Sequence, residues 1–375
     1  MTAYLDNSAT TKPCTGARQK MLYAIDECWG NPSSLHGKGI DADMLLLSAR
    51  RAVAKSLSAD EKEILFTSGG TESNNLAILG AAHAMKRKGN KVITSAVEHP
   101  SVLKCFDRLE SEGFTTVQIP TDKRGLIDLE ALEREIDEST VLVSIMAVNN
   151  EVGTIQPVDK IKSIIKRKSS PALFHIDAVQ AYGKLPLNVK KLGADLMSIS
   201  SHKIHGPKGA GALFVRNGTR LIPNALGGGQ EKDLRPGTEP MVAIAGFFGA
   251  VEELNINKSL SEVTALRSSF INKLSAIEGV SINSPHDALP YIVNLSLSGL
   301  RSETVLNLLS SMGICVSSGS ACAKGHKSYV LTAMGLSDKE IDSSLRVSLS
   351  RFTTQEELDY FISGITKAMN TIMKR

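Results

Sequence analysis

Short apolar runs alternate with amphipathic stretches along the first two thirds of the chain. The runs are almost wholly apolar, which is typical of strands that are covered on both faces. The stretches between them repeat apolar residues at helical spacing, for example over 74–88 and 158–168. This alternation predicts an α/β fold with a mostly parallel sheet and helices on both sides. The predicted strands are 63–67, 91–96, 115–119, 141–148, 173–177, 196–200 and 211–215.

The pattern changes after about residue 255. A long amphipathic helix, 259–278, leads into short strands and helices that indicate a smaller α+β domain. We therefore expect a large domain over 13–255 and a small C-terminal domain over 256–375, which the N-terminal segment 1–12 joins. The other elements predicted for the small domain are 281–283, 292–297, a helix from Ser302, 315–317, 345–349 and 355–373.

The composition argues against several classes of protein. The net charge is only +4, and no basic block is interleaved with aromatic residues, so direct nucleic-acid binding is not expected. No run approaches the roughly 18 apolar residues of a membrane helix, and the N-terminus lacks the features of a signal peptide. The five cysteines, at 14, 28, 105, 315 and 322, form neither a disulfide framework nor a metal-ligand pattern. We therefore expect a cytoplasmic protein without membrane contact and without a metal.

Lys203 and Asp177 carry the first chemical signal. Lys203 follows the strand 196–200 and enters a Gly/Pro turn, which is a poor place for a solvated charge. Such a lysine suits a Schiff base with a cofactor, because that role needs a buried and preorganised amine. Asp177 ends the strand 173–177 and supplies an acid for a pyridinium nitrogen. Together they predict a site for pyridoxal 5'-phosphate.

A Gly-rich turn at 68–75 follows the first strand and opens a helix. Such a turn is either a simple helix cap or a phosphate site, where glycines and free N–H groups receive the anion. Lys203 and Asp177 favour the phosphate site. His99 and Asn150 follow two further strands, where open α/β sheets bind ligands. Each is either a structural residue or a group that contacts the cofactor, His99 by stacking and moving protons and Asn150 by donating to the phenolate.

Cys322 stands in a run of Gly, Ser and Ala that predicts an exposed and flexible segment. A nucleophile that travels to its target needs such access, although an incidental surface thiol has the same pattern. Cys315 is predicted to be an ordinary buried cysteine. Arg346 lies on a predicted half-buried strand, where it either forms a surface ion pair or binds a substrate carboxylate.

These motifs resemble those of the IscS/NifS-like cysteine desulfurases, within the class V aminotransferase superfamily. The resemblance implies the PLP-dependent transferase fold type I, with a mostly parallel central sheet in a large domain and a smaller α+β domain. It also implies conversion of L-cysteine to L-alanine, with a persulfide on Cys322 that passes to a sulfur-acceptor protein of iron–sulfur cluster assembly or tRNA thiolation. The matching segments are 4–11, 30–34, 68–75, 98–99, 149–154, 175–180, 198–211, 227–238, 317–322 and 346–354.

The resemblance assigns a role to each matching residue. Lys203 forms the Schiff base and then moves the Cα proton, Asp177 pairs with the pyridine nitrogen, and His99 stacks on the ring. Arg346 and Asn31 bind the substrate carboxylate. Thr238 reaches the phosphate of a neighbouring subunit, which implies a homodimer. The remaining cofactor contacts are Gln180 and Asn150 near the phenolic oxygen, and Gly70, Thr71, Ser200 and His202 around the phosphate.

The chain departs from the family pattern after the cysteine. In close relatives a slightly longer segment precedes the next helix, whereas here only residues 323–327 separate Cys322 from Ser328. We expect this to affect the rate and the choice of acceptor more than the chemistry. His326 and Lys327 are interpreted as solvated rather than as groups that lower the pKa of the thiol.

Three alternatives remain open at this point. A selenocysteine lyase or another class V PLP aminotransferase would use the same Asp177 and Lys203, because fold does not fix function. An aminotransferase has no use for Cys322, which argues against it. A non-catalytic scaffold with the same fold would not need these three residues, and the chain retains them all.

Overall fold

The computed structural model describes residues 2–318 and 327–373 of the chain. Strands and helices alternate up to β8, and helices and strands of a second group follow from α9. The strands are β1 Ala3–Tyr4, β2 Ile64–Thr67, β3 Lys91–Ser95, β4 Thr115–Ile119, β5 Thr140–Met146, β6 Leu173–Asp177, β7 Leu196–Ser200, β8 Gly211–Val215, β9 Val280–Ile282, β10 Ile292–Leu297, β11 Ile314–Cys315, β12 Ser317–Ser318 and β13 Ser344–Ser348. The helices are α1 Thr15–Asp26, α2 Gly37–Leu57, α3 Gly70–Met85, α4 Pro100–Ser111, α5 Leu129–Glu135, α6 Val158–Arg167, α7 Val189–Leu192, α8 Met241–Glu252, α9 Ile256–Ser275, α10 Ser302–Ser311, α11 Tyr329–Ala333, α12 Asp338–Asp342 and α13 Gln355–Thr371.

A seven-stranded sheet, in the order β2-β8-β7-β6-β5-β3-β4, forms the centre of the molecule. Its strands are parallel except β8, which is antiparallel to both neighbours. All seven residues of β5 are buried, as their β-branched and apolar side chains predict for a covered strand. The predicted fold class is therefore confirmed. Four of the predicted strands have the observed bounds, and the other three differ by one or two residues at one or both ends.

The smaller, antiparallel sheet has the order β12-β13-β10-β9. The predicted strand 315–317 is wrong, because the structure has two short strands there that belong to different sheets. Strand β11 pairs with β1 from the N-terminal segment, and β12 pairs with β13. Asn255 caps α9, which begins beside the expected domain boundary at 255 and 256. The division into domains at that boundary stays a prediction.

Two further expectations about burial are wrong. Cys315 is exposed, because side chains alternate across β11 and Ile314 takes the buried side. Strand β13 was expected to be half-buried, yet all its residues are buried. It lies between β12 and β10, and the N-terminal segment covers its polar side, where the Asn7 side chain donates to the carbonyl of Ser348.

The parallel strands place the chemistry at one edge of the central sheet. Strands β2, β3, β5, β6 and β7 run in the same direction, so their carboxyl ends meet there. The chain leaves this edge directly into the segments that were singled out from the sequence. Within residues 2–318 and 327–373, no helix combines the length and the apolar character that a membrane span requires.

Candidate active site

A cavity of about 520 Å³ opens at this carboxyl edge. It also touches the N-terminal segment and the strand β13, so the two sheets and the first residues enclose it together. Cavities at this position are the usual ligand sites of open α/β sheets. The predicted site residues that line it are Gly70, Thr71, His99, Asn150, Asp177, Gln180, His202, Lys203 and Arg346.

Lys203 is held at the cavity by main-chain carbonyls. It ends a short 3₁₀ turn, Ser201–Lys203, directly after β7. Its Nζ donates to the carbonyl oxygens of Ser8 and Ala9, the latter at 2.8 Å. The N-terminal segment therefore helps to position the lysine, which the sequence pattern around Lys203 alone could not indicate.

Asp177 is buried at the end of the central strand β6. Its Oδ1 accepts from the main-chain N–H of Val179 at 3.0 Å, and its Oδ2 accepts from Asn74 Nδ2 at 2.8 Å. Asn74 also donates to Ser101 Oγ at 2.9 Å. These contacts fix the direction of the carboxylate, so an acid with a defined orientation faces the cavity.

His99 stabilises the start of a helix and also lines the cavity. It caps α4, where its Nδ1 accepts from the N–H of Ser101 at 3.1 Å and lies 2.8 Å from the Ser101 hydroxyl. Because Nδ1 is an acceptor, the neutral ring carries its proton on Nε2. Burial lowers the pKa of His99, Asp177 opposes this effect, and Lys203 adds to it. A neutral imidazole therefore lines the cavity.

The start of α3 has the features of an anion site. The first helical residue is Gly70, and a Cβ there would stand 2.6 Å from a methyl carbon of Val179. The hydroxyl of Ser200 lies close to this turn, is buried, and makes no hydrogen bond within the described residues. An unpartnered donor beside free helical N–H groups is the arrangement that a phosphate would satisfy.

His202 lies beside this anion site. Burial, followed by Lys203, Lys208 and Lys184, lowers the pKa of His202 to about 4, so the ring is neutral near pH 7. Its Nδ1 is 3.2 Å from Thr10 Oγ1. His202 can therefore serve as a neutral hydrogen-bonding group for an anion.

Arg346 is buried on β13 and faces the cavity. One terminal nitrogen donates to the carbonyl of Asn150 at 3.1 Å, and the other pairs with Asp6 at 3.0 Å. A surface ion pair was the alternative for this residue, but only 4% of its side chain is exposed. The structure thus brings a fixed guanidinium to the same cavity as Lys203, where it can attract a carboxylate.

Two predicted residues lie away from the cavity. Asn31 is exposed between α1 and α2, and its Oδ1 accepts from the N–H of Ser33 at 2.9 Å in a local turn. Thr238 is exposed in the segment that precedes α8. Neither residue contacts the cavity of its own chain. Their expected roles stay predictions.

The expected nucleophile, Cys322, lies outside the described residues, as does His326. Residues on both sides of that gap line the cavity, namely Ser317 before it and Lys327 and Ser328 after it. Lys327 is exposed and forms an ion pair with Asp338 at 2.6 Å, which agrees with its interpretation as a solvated charge.

Two buried glutamates were missed from the sequence, Glu151, which lines the cavity, and Glu98, which directly precedes the cavity-lining His99. Burial raises the pKa of Glu98 to about 8 and that of Glu151 to about 7. Glu98 accepts from Ser95 Oγ at 2.6 Å and from a main-chain N–H at 2.9 Å. Glu151 accepts from Ser328 Oγ at 2.5 Å, which ties the loop after β5 to the start of α11. Their positions directly before His99 and after Asn150 were the only signal in the sequence.

A metal is not indicated by the described part of the chain, where no group of three or more His, Cys, Asp or Glu side chains is arranged to hold one.

Asn74 and Asp6 are further residues that the sequence did not single out. Asn74 sits in the turn-and-helix motif that was recognised, and Asp6 lies in the N-terminal motif. Their pairing with Asp177 and Arg346 depends on tertiary contacts.

Comparisons with known proteins identify the family of the chain. A family model described as aminotransferase class V matches residues 3–361. The cysteine desulfurase IscS of Dictyoglomus turgidum is 40% identical over 375 residues, which cover 98% of this chain and 95% of the relative. A solved NifS-like protein superposes with a TM-score of 0.94 at 39% identity and covers 99% of this chain and 100% of its own. A structure described as SspA in complex with cysteine has a TM-score of 0.83 at 35% identity, covering 94% of this chain and 100% of its own. The chain therefore belongs to the class V aminotransferase family and, within it, to the cysteine desulfurases of the IscS and NifS type.

Proposed function

We propose that this protein uses pyridoxal 5'-phosphate to convert L-cysteine to L-alanine and receives the sulfur as a persulfide on Cys322. The observation that carries the proposal is the meeting of Lys203, Asp177 and Arg346 at one cavity, whose wall also includes residues on both sides of the segment that holds Cys322. Membership of the cysteine desulfurases supports the reaction, and the cysteine in the SspA structure supports the substrate.

The residues present fit pyridoxal 5'-phosphate. The phosphate would lie at the start of α3, where Gly70, Thr71 and His202 line the cavity and the Ser200 hydroxyl lacks a partner within the described residues. Asp177 would pair with the ring nitrogen, and Lys203 would hold the aldehyde carbon. When bound, the cofactor supplies an electron sink for the pair of electrons released at the substrate Cα.

The chain's own groups would then act in a defined order. Arg346 would bind the substrate carboxylate and orient the Cα–H bond. The Lys203 amine would take the Cα proton and later return a proton to the product. His99, with its proton on Nε2, would serve as the acid or base for the other proton transfers. Its expected stacking on the cofactor ring remains part of this proposal.

The sulfur step would use the Cys322 thiolate. It would attack the sulfur of the bound cysteine, so that an S–S bond forms while the Cβ–S bond breaks and leaves its electron pair on the carbon side. Protonation of that carbon would give alanine, and the persulfide would remain on Cys322. A sulfur-acceptor protein, of iron–sulfur cluster assembly or tRNA thiolation, would take the outer sulfur.

A homodimer would complete the site in this proposal, with Thr238 reaching the phosphate of the partner subunit. A group of exposed apolar residues, called here the α1–α2 face, supports the dimer, because extensive exposed apolar surface marks interaction sites. This α1–α2 face comprises Leu22, Tyr23 and Ile25 of α1, Trp29 and Leu35 of the connection, and Ile40, Met44 and Leu47 of α2.

A reducing compartment such as the cytoplasm suits the proposed reaction, since the persulfide and its acceptor need free thiols. The described cysteines are consistent with it, because Cys14, Cys28, Cys105 and Cys315 are all free.

Product analysis tests the proposal. The purified protein would be incubated with pyridoxal 5'-phosphate, L-cysteine and a thiol reductant, and alanine and sulfide would be measured together. We expect equal amounts of both from the wild type and from Cys315→Ala, the matched control at an exposed thiol. Cys322→Ala should form neither. Undiminished products from Cys322→Ala would remove the proposed nucleophile, and a yellow wild-type protein that forms neither product would remove the desulfurase reaction.

A further inference from the structure

Lys184 is a buried lysine behind the cavity that the reaction described above does not use. It follows Gln180 by four residues in the turn after β6, and its side chain is almost fully buried. Its Nζ donates to Gln180 Oε1 at 3.0 Å and lies 5.8 Å from the ring centre of Tyr291. Burial, followed by the charges of Lys203 and Arg346, lowers the pKa of Lys184 to about 7. A buried amine in this position is unfavourable unless the fold uses it.

The contact between Lys184 and Gln180 decides which way the amide points. Below about pH 7 the Lys184 amine is an ammonium, which has three donors and no acceptor, so only the oxygen of the Gln180 amide can face it. The amide nitrogen must then point the other way, and Gln180 Nε2 donates to the carbonyl of Ser8 at 3.0 Å. The same carbonyl accepts from Lys203 Nζ. A donor is therefore presented on the side of the cavity where Lys203 lies.

This orientation matters for a ring oxygen that carries negative charge. A phenolate accepts a hydrogen bond from an amide N–H and is repelled by an amide oxygen. The Ser8 carbonyl holds the N–H end of the Gln180 amide and Lys184 holds its oxygen, so without Lys184 only one of these two contacts would remain to orient the side chain. The side chain of Lys184 is buried, whereas Gln180 also lines the cavity, so the Gln180 amide connects Lys184 to the cavity.

We propose that Lys184 is a positioning residue that fixes the Gln180 amide with its N–H donor toward the cofactor's phenolic oxygen. The inference rests on the proposed function, because it assumes that pyridoxal 5'-phosphate binds in this cavity. Lys184 does not itself line this cavity and acts entirely through Gln180.

The test compares Lys184→Met with the wild type, using pyridoxal 5'-phosphate as the probe in the absence of cysteine. Methionine keeps the apolar stem and removes the donor. We expect cofactor binding to weaken about five- to tenfold, the loss typical of one hydrogen bond, and the visible absorption band to shift. Lys190→Met, at an exposed lysine of α7, is the matched control and should match the wild type in both measurements.

A double-mutant cycle separates positioning from a general structural or charge effect. In a Gln180→Ala background, Lys184→Met should change neither affinity nor band position further, because its partner is already absent. Full additivity of the two substitutions would overturn the inference, and so would Lys184→Met with wild-type affinity and band. If Lys184→Met does not fold, Lys184→Gln replaces it, since an amide cannot impose one orientation on another amide. A wild type that does not bind the cofactor would instead overturn the proposed function.

Discussion

Glu98 and Glu151 show what a single residue contributes when burial changes its chemistry. Glu151 lines the cavity and Glu98 directly precedes the cavity-lining His99, and burial raises the pKa of Glu98 to about 8 and that of Glu151 to about 7. A neutral carboxyl near pH 7 can donate as well as accept, unlike an ordinary glutamate. The sequence around Glu98 gives no sign that this residue is buried. Its burial follows only from the packing of β3 against β5.

Glu98→Gln should make stability less dependent on pH. The pKa of Glu98 is raised above its ordinary value of 4.5, so the unfolded chain loses this proton first as the pH rises. The stability that the neutral carboxyl provides is therefore present below about pH 4.5 and is lost as the pH approaches about 8. Glutamine stays neutral, so the free energy of unfolding should fall less over this interval, as urea unfolding at several pH values would show. Glu110→Gln, at an exposed residue of α4, is the control, and equal slopes for wild type and Glu98→Gln would contradict the account.

At the scale of the element, the whole first turn of α3 is expected to hold an anion. Its main-chain N–H groups and the helix dipole would act together. Gly70 allows the turn to pack closely against Val179. An added methyl group must displace Val179 or the first turn of the helix, which would move the N–H groups away from a bound phosphate.

Gly70→Ala should therefore weaken binding of pyridoxal 5'-phosphate about tenfold, by the free energy of roughly one charge-assisted hydrogen bond. Gly37→Ala is a matched control, since Gly37 is also the first residue of a helix and an added Cβ there meets nothing within 4 Å. Spectroscopic titration with the cofactor would measure both variants. Equal affinities for the two variants would exclude the anion site at α3.

The elements of the fold were predictable where burial and spacing repeat. Strands such as β6 and β7 are short apolar runs between helices, so their bounds and the residues at their carboxyl ends, Asp177 and Lys203, followed from the pattern. Contacts between distant segments were not predictable. Asp6 pairs with Arg346 across most of the chain, and the Ser8 carbonyl receives Lys203, because the N-terminal segment lies between the two sheets. No local pattern encodes such a contact.

At the scale of the whole molecule, the α1–α2 face predicts a dimer. Leu35 is 97% exposed and Trp29 is 65% exposed, and the apolar residues of α2 recur at helical spacing on one side. Leu35→Glu should shift the protein from dimer to monomer in light scattering, because burying an unpaired carboxylate in an apolar interface is costly. Met373→Glu, at another exposed apolar residue, is the control and should remain dimeric. A wild-type monomer, or a dimer unchanged by Leu35→Glu, would contradict this assembly.

The most direct test of the central claim is to locate the transferred sulfur. The protein loaded with pyridoxal 5'-phosphate would receive one equivalent of L-cysteine without reductant, then be alkylated, digested and analysed by mass spectrometry. The account predicts one added sulfur on Cys322 in the wild type and none in Lys203→Ala, since Lys203 is needed to release the Cα proton. Alanine formed with sulfur on Cys315, or with no sulfur on any cysteine, would contradict it.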